Sequence, residues 1–124
     1  MSDWKPEGWH SVTPRLFTHD EAKLVDFLRR AFGATGDFHA ERPSELRIGD
    51  SIVMVSGTFE GRGPTEAFLY LYVEDADATH ARAIAGGATS LEAPCETPYG
   101  DRRATVRDPS GNVWQIATRK SRGG

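Results

Sequence analysis

Hydrophobic residues in the first half of the chain follow the spacing of a strand and then that of a helix. Residues 12–18 alternate in a way that predicts a strand. Apolar side chains then recur every three or four positions across residues 22–32, which is the spacing of one helical face. Thr18 or Asp20 can cap the start of this helix, and Gly33 stands where a left-handed C-cap is favoured. The pattern predicts a strand followed by a helix.

Three further strand candidates complete the first half. Residues 38–42 and 45–48 are short, and residues 51–56 form a stronger β-branched and apolar run after the turn at Gly49 and Asp50. The order predicted for residues 11–57 is therefore strand, helix and three strands, written βαβββ.

The second half of the chain repeats this order. Turn-forming residues fill residues 58–66, which we interpret as a linker. The predicted strand, helix and three strands that follow lie at residues 67–73, 76–84, 89–92, 102–107 and 112–118. We expect a single α+β domain over residues 1–124, with a second βαβββ module at residues 67–119 and one helix per half. A single helix covers only one face of its sheet, so the other face must meet a partner half, a second subunit or a ligand.

Composition and charge limit the classes of function that the chain can have. A chain of 124 residues with 38% hydrophobic and 27% charged residues is typical of one globular domain. The formal net charge of −3 gives no reason to expect nucleic acid, and no apolar run is long enough to span a membrane. The sequence lacks a signal peptide and has one cysteine, Cys95, so we expect a cytoplasmic protein. Cys95 is either a small loop residue or a reactive thiol.

The segment from Tyr99 to Asn112, YGDRRATVRDPSGN, resembles the loop, strand and turn that precede the last strand in the vicinal-oxygen-chelate superfamily. This superfamily includes glyoxalase I, extradiol dioxygenases and the bleomycin-resistance proteins. Residues 29–34 and 45–50 are similar to bacterial members of the same group. The resemblance covers residues 11–119 and implies curved mixed sheets whose open faces form a cup.

Metal-dependent members of this superfamily take their ligands from the first and last strands of each half. The equivalent positions here are Thr13, Met54, Phe68 and Gln115. Of these, Gln115 is the one plausible ligand, and a single weak oxygen does not hold a divalent ion. We therefore expect no metal site and no cofactor.

The cup that the resemblance implies has an aromatic and aliphatic lining with a few polar groups. Alternation along the strands places Arg15 and Tyr70 on the same faces as the four positions above, and Arg103 is expected to join them. Tyr99 and Arg102 lie in or beside the loop at residues 94–100, next to Asp101, where they either contact a ligand or form an ordinary turn. The same aromatic side chains also fit a core or a dimer interface.

These observations predict a metal-independent protein that binds a small aromatic or antibiotic-like molecule, as a homodimer. The arginines are expected to orient an anionic or polar group of the ligand. The alternative is an enzyme of the same superfamily, a lyase, isomerase or dioxygenase, with displaced ligands or with Tyr, Arg or His acid–base chemistry. The sequence leaves open whether the modules pair within one chain or across the dimer.

Overall fold

A computed structural model describes residues 4–58, 64 and 66–120 of the chain. Its elements are β1 (Arg15–Thr18), α1 (Glu21–Phe32), β2 (Ser44–Ile48), β3 (Ser51–Gly57), β4 (Phe68–Tyr72), α2 (Ala76–Ala85), β5 (Thr89–Glu96), β6 (Asp101–Arg107) and β7 (Val113–Arg119). The predicted α+β fold is confirmed, with one helix in each half. Most of the predicted linker, residues 59–63 and 65, lies outside the described residues.

The strands form two mixed sheets, one of three and one of four strands, whose first three positions follow the same order. The first sheet has the order β1-β3-β2, and the second has the order β4-β7-β6-β5. In each sheet the first strand pairs in parallel with the last strand of its module, and the neighbouring strands pair antiparallel. The two halves are therefore built on one plan, as the repeated sequence pattern predicts.

Both helices begin and end where the sequence indicates. The carboxylate of Asp20 caps α1 by accepting from the backbone N–H of Lys23, and Asp75 caps α2 through Ala78 in the same way. Gly33 ends α1 in the left-handed conformation, with φ of 69°, which glycine adopts without a Cβ clash. Neither helix in the described part of the chain is long and apolar enough to cross a membrane.

One hydrophobic core joins the two modules through their helices. The inner residues of both sheets and the buried faces of α1 and α2 belong to a single cluster. Phe32 at the end of α1 lies 4.9 Å from the ring of Trp114 in β7, and the hydroxyls of Thr18 and Ser110 are 2.8 Å apart. Each sheet packs its inner face on the helices, so its other face points away from the core.

Three local expectations differ from the structure. Residues 38–42 form no strand, because the hydroxyl of Ser44 bonds the backbone N–H and carbonyl of His39 and closes a local turn. The first strand begins at Arg15 rather than at residue 12, so Val12 is 82% exposed instead of packed under a helix. The predicted loop at residues 94–100 is shorter, since β5 continues to Glu96 through two shifts in its pairing with β6.

Candidate functional site

The face of each sheet that points away from the helices carries most of the predicted site residues. In the first sheet, Arg15 pairs in register with Met54, and its guanidinium lies over the Phe17 ring at 5.1 Å and donates to Ser56. Thr13 is half-buried just before this strand. In the second sheet, the open face carries Phe68, Tyr70, Tyr72, Gln115, Thr105 and Arg103, which are neighbours across β4, β7 and β6.

All three tyrosines of the chain meet on the open face of the second sheet. The hydroxyls of Tyr70 and Tyr72 both donate to one carboxylate oxygen of Asp101, at 2.6 and 2.8 Å. The Tyr99 hydroxyl, from the loop between β5 and β6, lies 2.9 Å from that of Tyr70. Asp101 itself is only 2% exposed, whereas the tyrosines are 39%, 59% and 52% exposed in chain order. The carboxylate therefore anchors an aromatic surface that solvent still reaches; we call these four residues the tyrosine cluster.

The contacts with Asp101 keep the phenols of Tyr70 and Tyr72 protonated. Burial and the hydrogen bond to Asp101 raise the pKa of Tyr70 well above its ordinary value. The hydrogen bond to Asp101 and then burial raise the pKa of Tyr72. Both effects favour the neutral phenol, because ionisation would place a second negative charge beside the carboxylate. At neutral pH these tyrosines act as hydrogen-bonding and stacking groups, and Tyr70 is a poor proton acceptor.

A second polar group continues from the tyrosine cluster toward β5. Arg103 makes a bidentate pair with Glu92, with both nitrogen–oxygen distances at 3.0 Å, and donates to the Tyr99 hydroxyl at 2.9 Å. Thr105 donates to the same carboxylate at 2.9 Å. This pairing, opposed by burial, lowers the pKa of Glu92. Arg103 is thereby held in place and partly neutralised, which weakens its expected role as an anchor for an anion.

Gln115 occupies the middle of the open face and is half-buried. In register it lies between Tyr70 on β4 and Thr105 on β6. Its side-chain amide makes no hydrogen bond to the described residues, although its neighbours on this face are hydrogen-bonded. A half-buried amide with free donor and acceptor capacity, flanked by aromatic rings, is suited to contact a ligand.

Arg102 does not join this group. It lies on β6 beside Arg103, but side chains alternate along a strand, so it points to the helical side. There it forms a bidentate pair with Asp77 of α2, at 2.9 and 3.0 Å, and contacts Glu96 at 3.3 Å. Its contacts connect the edge of the sheet to α2, away from the open face.

The residues at the family's metal positions do not fit a divalent ion. Met54 belongs to the first sheet and Thr13 lies just before β1, whereas Phe68 and Gln115 lie on the second sheet. Methionine and phenylalanine offer no oxygen or imidazole donor. Over residues 4–58, 64 and 66–120, no group of three or more His, Cys, Asp or Glu side chains could hold a metal.

Two residues of the site were not singled out in the sequence as ligand-binding. Glu92 lies near the end of a predicted strand, and the pairing shifts in β5 place it opposite Thr105. Asp101 is next to the glycine-containing loop, where its exposure could not be judged. Alternation along β4 indicates that Tyr72 shares a face with Tyr70, and the structure confirms it.

The turn that carries the family resemblance has a structural role. Asp108, 4% exposed, accepts hydrogen bonds from the backbone of Ser110 and Asn112, the Asn112 amide and the Trp114 indole. These donors enclose the carboxylate between β6 and β7. The Asp108 carboxylate thus holds the turn between β6 and β7 against the core tryptophan, Trp114.

Comparison with known proteins agrees with the fold and the repeated modules. Residues 10–116 match the sequence pattern of the Glyoxalase/Bleomycin resistance protein/Dioxygenase superfamily. The chain belongs to this superfamily.

Individual relatives and solved structures are similar over most of the chain. An uncharacterised protein of Mycobacterium bovis is 31% identical over 123 residues, covering 86% of this chain and 81% of its own. The crystal structure of TioX from Micromonospora sp. ML1 has a TM-score of 0.77 at 28% identity, over 89% of this chain and 98% of that one. A glyoxalase/bleomycin resistance protein/dioxygenase family enzyme from Burkholderia phytofirmans PsJN has a TM-score of 0.73 at 25% identity, over 86% and 95%.

Proposed function

We propose that this protein binds a small aromatic or antibiotic-like molecule, without a metal, on the open face of its second sheet. The observation that carries the proposal is the tyrosine cluster around Asp101, with its exposed rings beside the unpartnered amide of Gln115. Ligand sites are commonly apolar and aromatic surfaces with a few placed polar groups, and this face has that composition.

Stacking supplies most of the expected affinity. Tyr70 and Tyr72 meet edge to face with ring centroids 5.4 Å apart, and Phe68, 67% exposed, lies next to them on the same strand. Each aromatic contact contributes about 0.5–1.5 kcal/mol beyond area burial. Gln115 then orients the polar edge of the ligand.

Binding rather than turnover is supported by the protonation of Tyr70. General acid–base catalysis works best with a group that exchanges a proton near neutral pH. The raised pKa of Tyr70 keeps its hydroxyl protonated at neutral pH, so it is not available as a base, and the pairing of Arg103 with Glu92 occupies the adjacent charged groups. This favours stoichiometric capture over the enzyme alternative.

We further propose that the protein is a homodimer in which a second copy covers the open faces. Contiguous exposed apolar and aromatic side chains on a soluble protein commonly mark an interaction surface. In a two-fold dimer the face of one sheet can meet a face of the partner and turn a shallow surface into a cup.

The location of the site is tested by NMR titration of isotope-labelled protein with indole and a panel of larger planar aromatic compounds. Chemical-shift changes are expected at the backbone amides of Phe68, Tyr70 and Gln115. Changes confined to the cavity of about 710 Å³ between the modules, lined by Phe32, Ile48, Val73 and Arg82 among others, would contradict the proposed site. Turnover of a hemithioacetal or a catechol would also contradict the proposal, because it would support the enzyme alternative.

Replacement of Gln115 tests its contact with the ligand. Gln115→Leu removes both the donor and the acceptor and should weaken binding of the tightest compound in the panel by about fivefold, the value of one ordinary hydrogen bond. Its melting temperature should stay at or above that of the wild type, because no internal hydrogen bond is lost. Thr35→Val, at an exposed position in the first module, serves as the control and should leave affinity unchanged. Equal affinity for the Gln115→Leu variant and the wild type would remove Gln115 from the site.

Whether the protein binds a metal ion is tested by its melting temperature. The protein is freed of metal with a chelator and then mixed with Zn²⁺, Ni²⁺, Mn²⁺ or Fe²⁺ in thermal-shift experiments. A ligand that binds only the folded state raises its melting temperature, so no increase is expected with these ions. Stoichiometric tight binding of one of them would refute the metal-independent mode.

A further inference from the structure

The protons of the tyrosine cluster can be assigned from the chemistry of its partners. A carboxylate only accepts hydrogen bonds, so Tyr70 and Tyr72 each commit their single hydroxyl proton to Asp101. An arginine only donates, so the Tyr99 oxygen accepts from Arg103 at 2.9 Å. Because the Tyr70 proton is already committed, the 2.9 Å contact between the Tyr70 and Tyr99 hydroxyls must be a donation by Tyr99.

The result is a hydrogen-bond chain with one direction, from Arg103 through Tyr99 and Tyr70 to Asp101. Every phenolic proton in the chain points toward Asp101 or toward the next tyrosine. The Tyr72 oxygen, on a side chain that is 59% exposed, therefore has lone pairs and no proton to offer a ligand. Asp101 imposes this arrangement from a buried position, since it accepts from two phenols at once.

We propose that Asp101 determines the specificity of the proposed binding face, by making its tyrosine end accept hydrogen bonds and so select aromatic ligands that carry an N–H or O–H donor. The inference rests on the proposed function, because it concerns the same face, and it names the chemical class that this face prefers. Asp101 acts through Tyr70 and Tyr72 and is a positioning residue.

The test uses three aromatic probes of nearly the same shape and measures their dissociation constants by NMR titration at the Gln115 and Tyr70 amides. Indole carries an N–H donor, benzofuran has a ring oxygen in its place, and 1-methylindole has the donor blocked. For the wild type we expect indole to bind about fivefold more tightly than either of the others, the effect of one hydrogen bond.

Asp101→Leu removes the shared acceptor and frees the tyrosine protons. The preference for indole should then fall by about fivefold or reverse in favour of benzofuran, since a freed Tyr72 hydroxyl can donate to the ring oxygen. A purely structural role of Asp101 would weaken all three probes together and leave their ratio unchanged. Arg103 can also donate to a ligand in every variant. The decisive quantity is therefore the change, from wild type to variant, in the ratio of the indole and benzofuran dissociation constants.

Tyr72→Phe provides a second variant whose folding is not in question, because the Tyr72 side chain is mostly exposed. It removes the accepting oxygen and should abolish the indole preference, without the gain in benzofuran affinity expected for Asp101→Leu. Wild-type protein that binds indole and benzofuran equally on this face overturns the inference and leaves the proposed function standing. Failure of all three probes and of the larger panel to bind this face contradicts both.

Discussion

At the scale of single residues, Asp101 governs the chemistry of the open face. It is almost fully buried, yet it accepts from two phenols that are themselves exposed, so one carboxylate fixes the position and the protonation of the surface above it. Two neighbouring residues of β6 point to opposite faces of the sheet. Arg103 joins the open face, whereas Arg102 pairs with Asp77 on the helical side. Arg102 is therefore not on the open face, and of the two alternatives for orienting a ligand there, Arg102 or Arg103, only Arg103 lies on it.

The raised pKa values of Tyr70 and Tyr72 predict an unusual alkaline titration. The phenolate of each of these two tyrosines, followed by its absorbance at 295 nm, should form at a pH above the ordinary tyrosine pKa of about 10. Since the folded-state pKa lies above the unfolded one, the associated stability is present below pH of about 10 and is lost as pH rises through the folded-state value. Tyr70→Phe should make unfolding less sensitive to alkaline pH. Ionisation of Tyr70 and Tyr72 near pH 10 in the folded protein would contradict this.

At the scale of elements, the turn between β6 and β7 is held by a buried side chain. Asp108 accepts from backbone and side-chain donors, including the indole of Trp114, whose ring packs against Phe32 of the other module. The corresponding turn of the first module at Gly49 and Asp50 is exposed, and among the described residues the Asp50 carboxylate accepts a side-chain hydrogen bond from Ser51 alone. The two turns occupy equivalent places in the repeat but differ in what they stabilise.

Asp108→Ala is expected to destabilise the protein by about 3 kcal/mol, because several buried donors lose their acceptor at once. Urea denaturation followed by tryptophan fluorescence measures this change. The matched control is Asp50→Ala at the equivalent turn, for which we expect a change of at most about 0.5 kcal/mol. Similar small effects at the two turns would show that the Asp108 contacts contribute little.

At the scale of the whole molecule, the helices and a shared hydrophobic core join the two modules. Among the described residues, the outer face of the second sheet stays exposed at Phe68, Tyr70 and Tyr72. These aromatic side chains are the surface that we propose for a ligand and for a second copy of the chain.

Light scattering coupled to size-exclusion chromatography tests the proposed homodimer. We expect a mass twice the 13.6 kDa of the chain at micromolar concentrations. Phe68→Asp places a charge on the most exposed aromatic position of the face and should shift the protein toward the monomer. The control, Glu74→Gln, lies outside the strand and should leave the mass unchanged. A wild-type monomer at about 100 µM, far above the dissociation constants typical of specific homodimers, would refute the dimer.

Much of the fold follows from local periodicity. The strand and helix periods, the caps at Asp20 and Gly33, and the repeat of the two halves depend on residues close together in the chain, and the structure confirms them. Local pattern failed at residues 38–42, where the contact between Ser44 and His39 forms a turn that the hydrophobic pattern does not indicate. It also failed at β5, whose pairing shifts depend on the neighbouring strand.

The sequence by itself determined which side chains of one strand share a face, because side chains alternate along every strand whatever the strands pack against. Alternation therefore placed Tyr70 and Tyr72 on one face, and the family resemblance placed Arg15 with Met54 and Tyr70 with Gln115. Only the tertiary structure decided how the polar groups on those faces pair. Tyr70 and Asp101 are 31 positions apart, and Arg103 and Glu92 belong to different strands, so their hydrogen bonds depend on strand order and register, which hydrophobic periodicity does not specify.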